Sequence, residues 1–468
     1  MRAPWALTAT ETAAHVRNGT ISPVEVVESL LDRVEAVEPS VQAWVLLDRD
    51  GALRQAQRIE RDLRSGKPVG PLAGIALGVK DIFDVRGLPT LAGSRSTSAL
   101  PATGDSAPVS RWRRAGGIVL GKLQTCEFAD ADPSGTRNAW STDHTPGGSS
   151  SGSGAAVAAG MIPIALGSQT GGSTLRPAAY NGVVGFKPTF GVISGYGMIP
   201  HSSSLDTVGI IARSVADVVL AVECLAGFDA RDPGSLRRPQ RFDADEVRRP
   251  LSHPRVALLG RYFLDRCEVE TRREAEKIVD LLSDAGAVIK EVTLPDSFAE
   301  ALQEYKIVGG AELAAYHEEA FSERGQLYGP KVASRIREGL GITATRYLRA
   351  MRRRSDMARE LRQALKGYDA ALTPATPAPA PRDLSTTGDP SFQQPWSFCG
   401  FPAIALPSGL LPVGLPVGVQ LVAVPAADAR LLRVAVWCEQ VIAFKDHPAS
   451  WVSMAPSATE RSRVRVPG

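Results

Sequence analysis

Gly147-Gly148-Ser149-Ser150-Ser151-Gly152-Ser153-Gly154 and Gly167-Ser168-Gln169-Thr170-Gly171-Gly172-Ser173 are the two stretches on which the reading of this chain turns. Upstream, the apolar run Gly74-Ile75-Ala76-Leu77-Gly78-Val79 ends in Lys80. A serine hydroxyl is a poor nucleophile at neutral pH and needs a base. A lysine can be that base where an apolar site lowers its pKa enough to leave the amine neutral. Glycines beside a serine let backbone N–H groups approach a reacting carbonyl and hold its developing negative charge. Both parts of such a device are present here.

Outward from these loops, short apolar runs alternate with glycine turns over about residues 70–225, as in Gly116-Gly117-Ile118-Val119-Leu120-Gly121. Ala155–Gly160 reads as a small-residue helix able to lie close against a sheet. Before them, Ser22, Pro23 and Glu25 form a helix start with a capping box, and Ile21 and Val26 are placed for a hydrophobic staple. Val27, Leu30, Leu31 and Val34 continue this helix to about Val37 as one apolar stripe. After them, Arg255–Leu259, Glu268–Ala285 and Ala287–Leu294 read as a β-α-β unit. Residues 296–366 read as mostly helical, and Ala403–Leu406 and Val417–Val422 as late strands. The fold class is α/β: a single large α/β/α domain with a mixed twisted β-sheet covered by helices on both faces. That domain is expected over 1–455. Within it lie a helical cover over about 8–65, a catalytic core over about 70–225, a β-α-β and helical pocket region over about 254–400, and final strands over about 401–455. A polar, loose tail is expected over 456–468.

The 468 residues are 44% hydrophobic and 22% charged, with 53 basic and 50 acidic side chains, the balance of an ordinary globular protein. No basic block is long enough to argue for nucleic acid, and Arg352-Arg353-Arg354 reads as a solvated helix face. Cysteines at 126, 224, 267, 399 and 438 lack metal-ligand spacing and are odd in number, which fits a reducing cytoplasm. Neither a signal peptide nor an 18-residue apolar span is seen. Neither nucleic acid nor a membrane is therefore an expected partner; a homodimer stays open.

Gly148-Ser149-Ser150-Ser151-Gly152 formally fits the nucleophile elbow G-x-S-x-G with Ser150 at its centre, but that device needs a strand immediately before it. The preceding Ser141-Thr142-Asp143-His144-Thr145-Pro146 is polar and broken by proline, so the context opposes it. A phosphate loop lacks its Gly-Lys-Ser/Thr, and a flexible linker would not be flanked by apolar segments.

The arrangement closely resembles the amidase signature family. The matching residues are Gly78-Val79-Lys80-Asp81, the loop 147–154, Gly171-Gly172-Ser173 and Gly185-Phe186-Lys187-Pro188-Thr189. Ser204-Leu205-Asp206-Thr207-Val208-Gly209 and Gly414-Leu415-Pro416-Val417-Gly418-Val419-Gln420 also match. They keep the family's order over about residues 20–425, and the interval from Ser149 to Ser173 is the family's too. The resemblance implies a cofactor-independent hydrolase of amides and related acyl compounds. Ser173 would be the nucleophile, Ser149 the bridging serine with a cis peptide bond, and Lys80 the base. The backbone N–H groups of Thr170, Gly171, Gly172 and Ser173 would form the oxyanion hole.

Two departures bear on substrate. Gln169 stands where the family commonly has an acid, and Arg176 is three residues after Ser173 where an arginine commonly stands two after. This pair resembles a subgroup that includes malonamidases, in which the arginine receives a substrate carboxylate; a structural pairing of Arg176 is the alternative. Thr125, Gln169 and Arg176 are the expected substrate contacts, and Gln393–Phe398 a pocket wall. His144 and His201 read as rim residues, Lys122 and Asp206 as core support, and Cys126 and Cys399 as small buried hydrophobes. The expected activity is hydrolysis of small-molecule amides. An esterase or carbamate hydrolase would use the same triad, and a glutaminase component of a transamidating complex is the third reading.

Overall fold

The computed structural model describes residues 2–237 and 242–451; the tail expected over 456–468 lies outside them. Among the described residues eleven strands join one sheet: β1 (Trp44–Leu47), β2 (Ala76–Lys80), β3 (Ile118–Leu123), β4 (Ile164–Gln169), β5 (Val184–Lys187), β6 (Thr207–Ala212), β7 (Arg255–Leu258), β8 (Val288–Glu291), β9 (Ala370–Pro374), β10 (Ala403–Leu410) and β11 (Pro416–Val422). Their spatial order is β1-β3-β2-β4-β6-β5-β10-β11-β9-β7-β8. Pairing is parallel at β3-β2-β4 and β9-β7-β8 and antiparallel elsewhere, so the sheet is mixed.

β2, β3 and β4 are buried at every position, as strands covered on both faces must be. Successive residues still point to opposite faces. In β4, Ile164 and Leu166 enter the largest apolar cluster, while Ala165 joins the one shared with the helices Pro23–Val41 and Ser151–Ala158. The first of these helices starts with the expected capping box of Ser22 and Glu25, and it runs past Val37 to Val41 with Pro39 inside. The second starts one turn before Ala155, because Ser151, Gly152, Ser153 and Gly154 join it. Its small side chains allow the close approach to the sheet, with a Cβ at Gly152 falling 2.3 Å from the Ala43 carbonyl oxygen.

The expected β-α-β unit forms as β7, Val269–Asp284 and β8. β1 and β9 are additions that the sequence pattern does not announce. β9 lies between β11 and β7, joining the late antiparallel strands to that parallel unit. Residues 301–364 form three helices, Ala301–Arg324, Pro330–Leu340 and Ala344–Ala364. A third cluster ties the first of them to the short helix Gln394–Phe398, with Phe263 5.0 Å from Phe392 and Phe298 5.2 Å from Trp396, centroid to centroid. Edge-on and tilted ring contacts of this kind fix geometry as well as bury area.

The three arginines 352–354 do not form one solvated face as expected. Arg352 and Arg353 face solvent, but Arg354 turns inward and donates to the Ser204 carbonyl oxygen at 2.8 Å and to its hydroxyl at 3.2 Å. On a helix three consecutive residues cannot share one face.

Candidate active site

Lys80 ends β2 with its side chain completely buried. Its Nζ lies 2.8 Å from Ser149 Oγ and 2.8 Å from Ser168 Oγ, on β4 next door. Desolvation drives its pKa down to about 7, an effect that the nearby Asp206 carboxylate opposes. Beside it Asp81 pairs with Lys122 at 2.8 Å, both side chains buried, and Lys122 also donates to the Pro89 carbonyl oxygen at 2.9 Å. That pair holds the segment after β2, and Lys80 has no carboxylate partner among the described residues.

Ser149 follows a cis Gly148–Ser149 peptide bond, and its carbonyl oxygen accepts from Cys126 N–H at 3.1 Å. No strand precedes it: residues 141–150 are turns and irregular chain leading straight into the helix Ser151–Ala158. Ser150 is fully buried, with its hydroxyl turned to the Ser168 backbone at 3.3 Å. The strand-turn-helix of a nucleophile elbow is therefore missing among the described residues.

Of the serines gathered here, Ser149 and Ser150 are 0% exposed, Ser168 2% and Ser173 8%. Ser173 is thus the one nearest the surface of the site. Its carbonyl oxygen accepts from Ser150 N–H at 3.2 Å, which locks the two loops together. Its hydroxyl makes no hydrogen bond to Ser149 in this structure.

The loop 170–173 is held by its carbonyls and side chains. Thr170 Oγ1 donates to Asp206, whose other oxygen accepts from His201 N–H at 2.7 Å and Ser202 N–H at 2.9 Å. The Gly171 carbonyl oxygen accepts from Ser397 Oγ at 2.7 Å, and that of Gly172 from Arg176 N–H at 3.0 Å. The N–H groups of Thr170, Gly171, Gly172 and Ser173 find no acceptor among the described residues. Four adjacent free donors next to a serine form a cradle for negative charge. Side chains would close it: a Cβ on Gly171 would lie 2.8 Å from Tyr305 Oη, and one on Gly172 2.7 Å from Gln393 Oε1.

Tyr305 and Gln394, both against Gly171, open onto a cavity of about 560 Å³ that Ile307, Leu313, Ile342 and His201 also line. Tyr305 is not legible in the sequence, because a buried tyrosine on a long covering helix carries no motif. Of the segment Gln393–Phe398, Gln393 and Gln394 stand against the glycines. His144 sits apart, bonded to Ser141 Oγ at 2.9 Å.

The expected substrate contacts are all engaged by the protein. Gln169 is fully buried; its Oε1 accepts from Thr174 and Leu175 N–H, each at 3.0 Å, and its Nε2 donates to Ser397 Oγ at 3.0 Å. It starts the helix Leu175–Tyr180. Arg176, also buried, donates to the Gly148 carbonyl oxygen at 2.8 Å, Thr387 Oγ1 at 3.0 Å and the Gly388 carbonyl oxygen at 3.1 Å. It straps the segment 387–388 to the Gly148–Ser149 loop. Thr125 is buried with its hydroxyl on the Cys126 carbonyl oxygen at 3.0 Å.

The family model for amidases matches residues 25–432. The chain belongs to the amidase signature family. This makes it an enzyme acting on carbon–nitrogen bonds. Among its amidase-family relatives is the A subunit of glutamyl-tRNA(Gln) amidotransferase from Symbiobacterium thermophilum, 34% identical over 92% of this chain and 95% of the relative. Native peptide amidase from Stenotrophomonas maltophilia superposes with a TM-score of 0.83 at 31% identity, over 95% of this chain and 98% of that one. A chain from a vestigial protein complex, described for the evolutionary origins of an s-triazine catabolic enzyme, superposes at 0.87 with 30% identity, over 93% and 98%. No helix among the described residues is long and apolar enough to cross a membrane.

Proposed function

We propose that the protein is a serine amidohydrolase that cleaves C–N amide bonds of small molecules through an acyl-enzyme on Ser173. The observation that carries this reading is the buried Lys80 Nζ–Ser149 Oγ contact of 2.8 Å behind a loop of unengaged amides. A lysine with its pKa near 7 has a substantial neutral fraction at physiological pH and can accept a proton. Ser173 Oγ attacks the carbonyl carbon as its proton passes to Ser149 Oγ, whose own proton passes to Lys80 Nζ. The carbonyl oxygen's negative charge settles against the 170–173 amides. The relay then returns the proton to the leaving nitrogen as the C–N bond breaks, and water hydrolyses the ester by the same path. This requires the Ser173 hydroxyl to turn onto Ser149 with substrate bound, in keeping with catalytic hydrogen bonds that tighten only in the Michaelis complex. The cavity beyond Tyr305 is large enough for a small organic amide.

The similarity to the amidotransferase relative favours a second reading, the glutaminase component of a transamidating complex. Turnover of aryl, alkyl and carboxylated amides by the purified chain supports the first; glutamine hydrolysis appearing only with partner subunits supports the second. An anilide, ester and carbamate sharing one acyl group would then rank the bond types that the same triad attacks.

A further inference from the structure

We propose that Ser397, oriented by Gln169, is a positioning residue that aims the oxyanion donors; this rests on the hydrolase reading above. Ser397 sits on the short helix Gln394–Phe398, buried, and bridges the Gln169 amide to the Gly171 carbonyl oxygen. The direction of every proton in this chain of bonds is determined. Thr174 and Leu175 N–H are obligate donors, so the oxygen of the Gln169 amide faces them and its NH₂ faces Ser397. Ser397 Oγ receives that N–H, and its single proton goes to the Gly171 carbonyl oxygen.

In a planar trans peptide the C=O and the next N–H point in opposite directions. Anchoring the Gly171 oxygen on Ser397 therefore turns the Gly172 N–H away from Ser397, and anchoring the Gly172 oxygen on the Arg176 amide does the same for the Ser173 N–H. The first tether matters more than the second. Gly171 and Gly172 flank a peptide with no Cβ on either side, so its rotation meets little local steric barrier. The glycines that admit a substrate carbonyl also leave its donors free to turn, and Ser397 removes that freedom.

Glutamine at 169 fits this role in a way an acid does not. A carboxylate there would still accept from Thr174 and Leu175, but it has no proton to give Ser397. It would draw the Ser397 proton to itself and leave the Gly171 oxygen without its donor.

The test compares wild type with Ser397→Ala, Ser397→Thr and Gln169→Glu on an amide that wild type turns over, with a boronic acid as tetrahedral mimic and Ser173→Ala as control. Misaimed donors should lower kcat about 10- to 100-fold in Ser397→Ala, somewhat less than outright loss of one donor. The boronate Ki should rise in proportion and KM stay within about threefold. Ser397→Thr, which keeps the hydroxyl, should restore most of the rate, and Gln169→Glu, if it folds, should resemble Ser397→Ala. Overturning results are a kcat and Ki within about threefold of wild type in Ser397→Ala, or a lowered melting temperature with KM rising as much as kcat falls. Retained turnover in Ser173→Ala would instead overturn the hydrolase reading, whatever Ser397 does.

Discussion

Replacing Lys80 by methionine should destroy activity and yet make the protein relatively more stable at neutral than at alkaline pH. The Lys80 amine is buried with two hydroxyls for company, and its pKa falls from 10.5 to about 7. Each pH unit of that interval is worth about 1.4 kcal/mol, so the charged lysine of the unfolded chain gives up about 5 kcal/mol on folding at pH 7. The sign follows from proton counts: between about pH 7 and 10.5 the unfolded chain binds one more proton at this site than the folded one. Wild-type stability therefore gains with pH across that window, while Lys80→Met lacks the term. Methionine leaves Ser149 and Ser168 without a partner, an offset of about 1–3 kcal/mol each at most that does not depend on pH. Urea unfolding of both proteins at pH 7.5, 8.5 and 9.5 isolates the titration, because other groups cancel in the difference. Their stability difference should move by about 2–3 kcal/mol in favour of wild type over those two units. A difference that stays flat with pH would mean Lys80 is not held neutral, and the base assignment would fall with it.

Further outcomes follow from the same contacts. The kcat/KM of wild type should rise with pH through about 7 and level above it, because only neutral Lys80 accepts a proton; a profile flat from pH 6 to 9 contradicts this. Asp206→Asn removes a charge that raises the Lys80 pKa, so the acidic limb of that profile should move to lower pH, and movement to higher pH would refute the coupling. Arg176→Gln should cost about 1–3 kcal/mol and depress neutral and carboxylated amides alike, since its bonds are to Gly148, Thr387 and Gly388. A loss confined to carboxylated substrates, measured as KM on a matched pair, would assign it to substrate binding.

Much of the fold is legible in the sequence because its signals are local. The capping box at Ser22 and Glu25 and the apolar runs of β2, β3 and β4 specify elements within a few residues. β9 escapes because its five residues, Ala370–Pro374, end in a proline and enter a proline-rich loop, and only tertiary pairing with β7 and β11 makes them a strand. At the site, loop order along the chain brings Lys80, Ser149 and Ser173 into view, but not what surrounds them. Ser168 meets Lys80 across the sheet, a contact that parallel pairing sets and no spacing announces. Gln169 looks like a substrate contact because it breaks a pattern; its amide is instead shared between a helix start and Ser397, 228 residues away. Arg354 looks like one of three surface charges until the helix turns it onto Ser204.

The most direct measurement is the site of covalent labelling. A fluorophosphonate reacted with wild type, Lys80→Ala and Ser173→Ala, followed by peptide mass mapping, reads out nucleophile and base together. One adduct is expected on Ser173 in wild type, with labelling slowed by orders of magnitude in Lys80→Ala and none in Ser173→Ala. An adduct on Ser150 with Ser173 unmodified, or labelling in Lys80→Ala as fast as in wild type, would contradict the assignment of nucleophile and base.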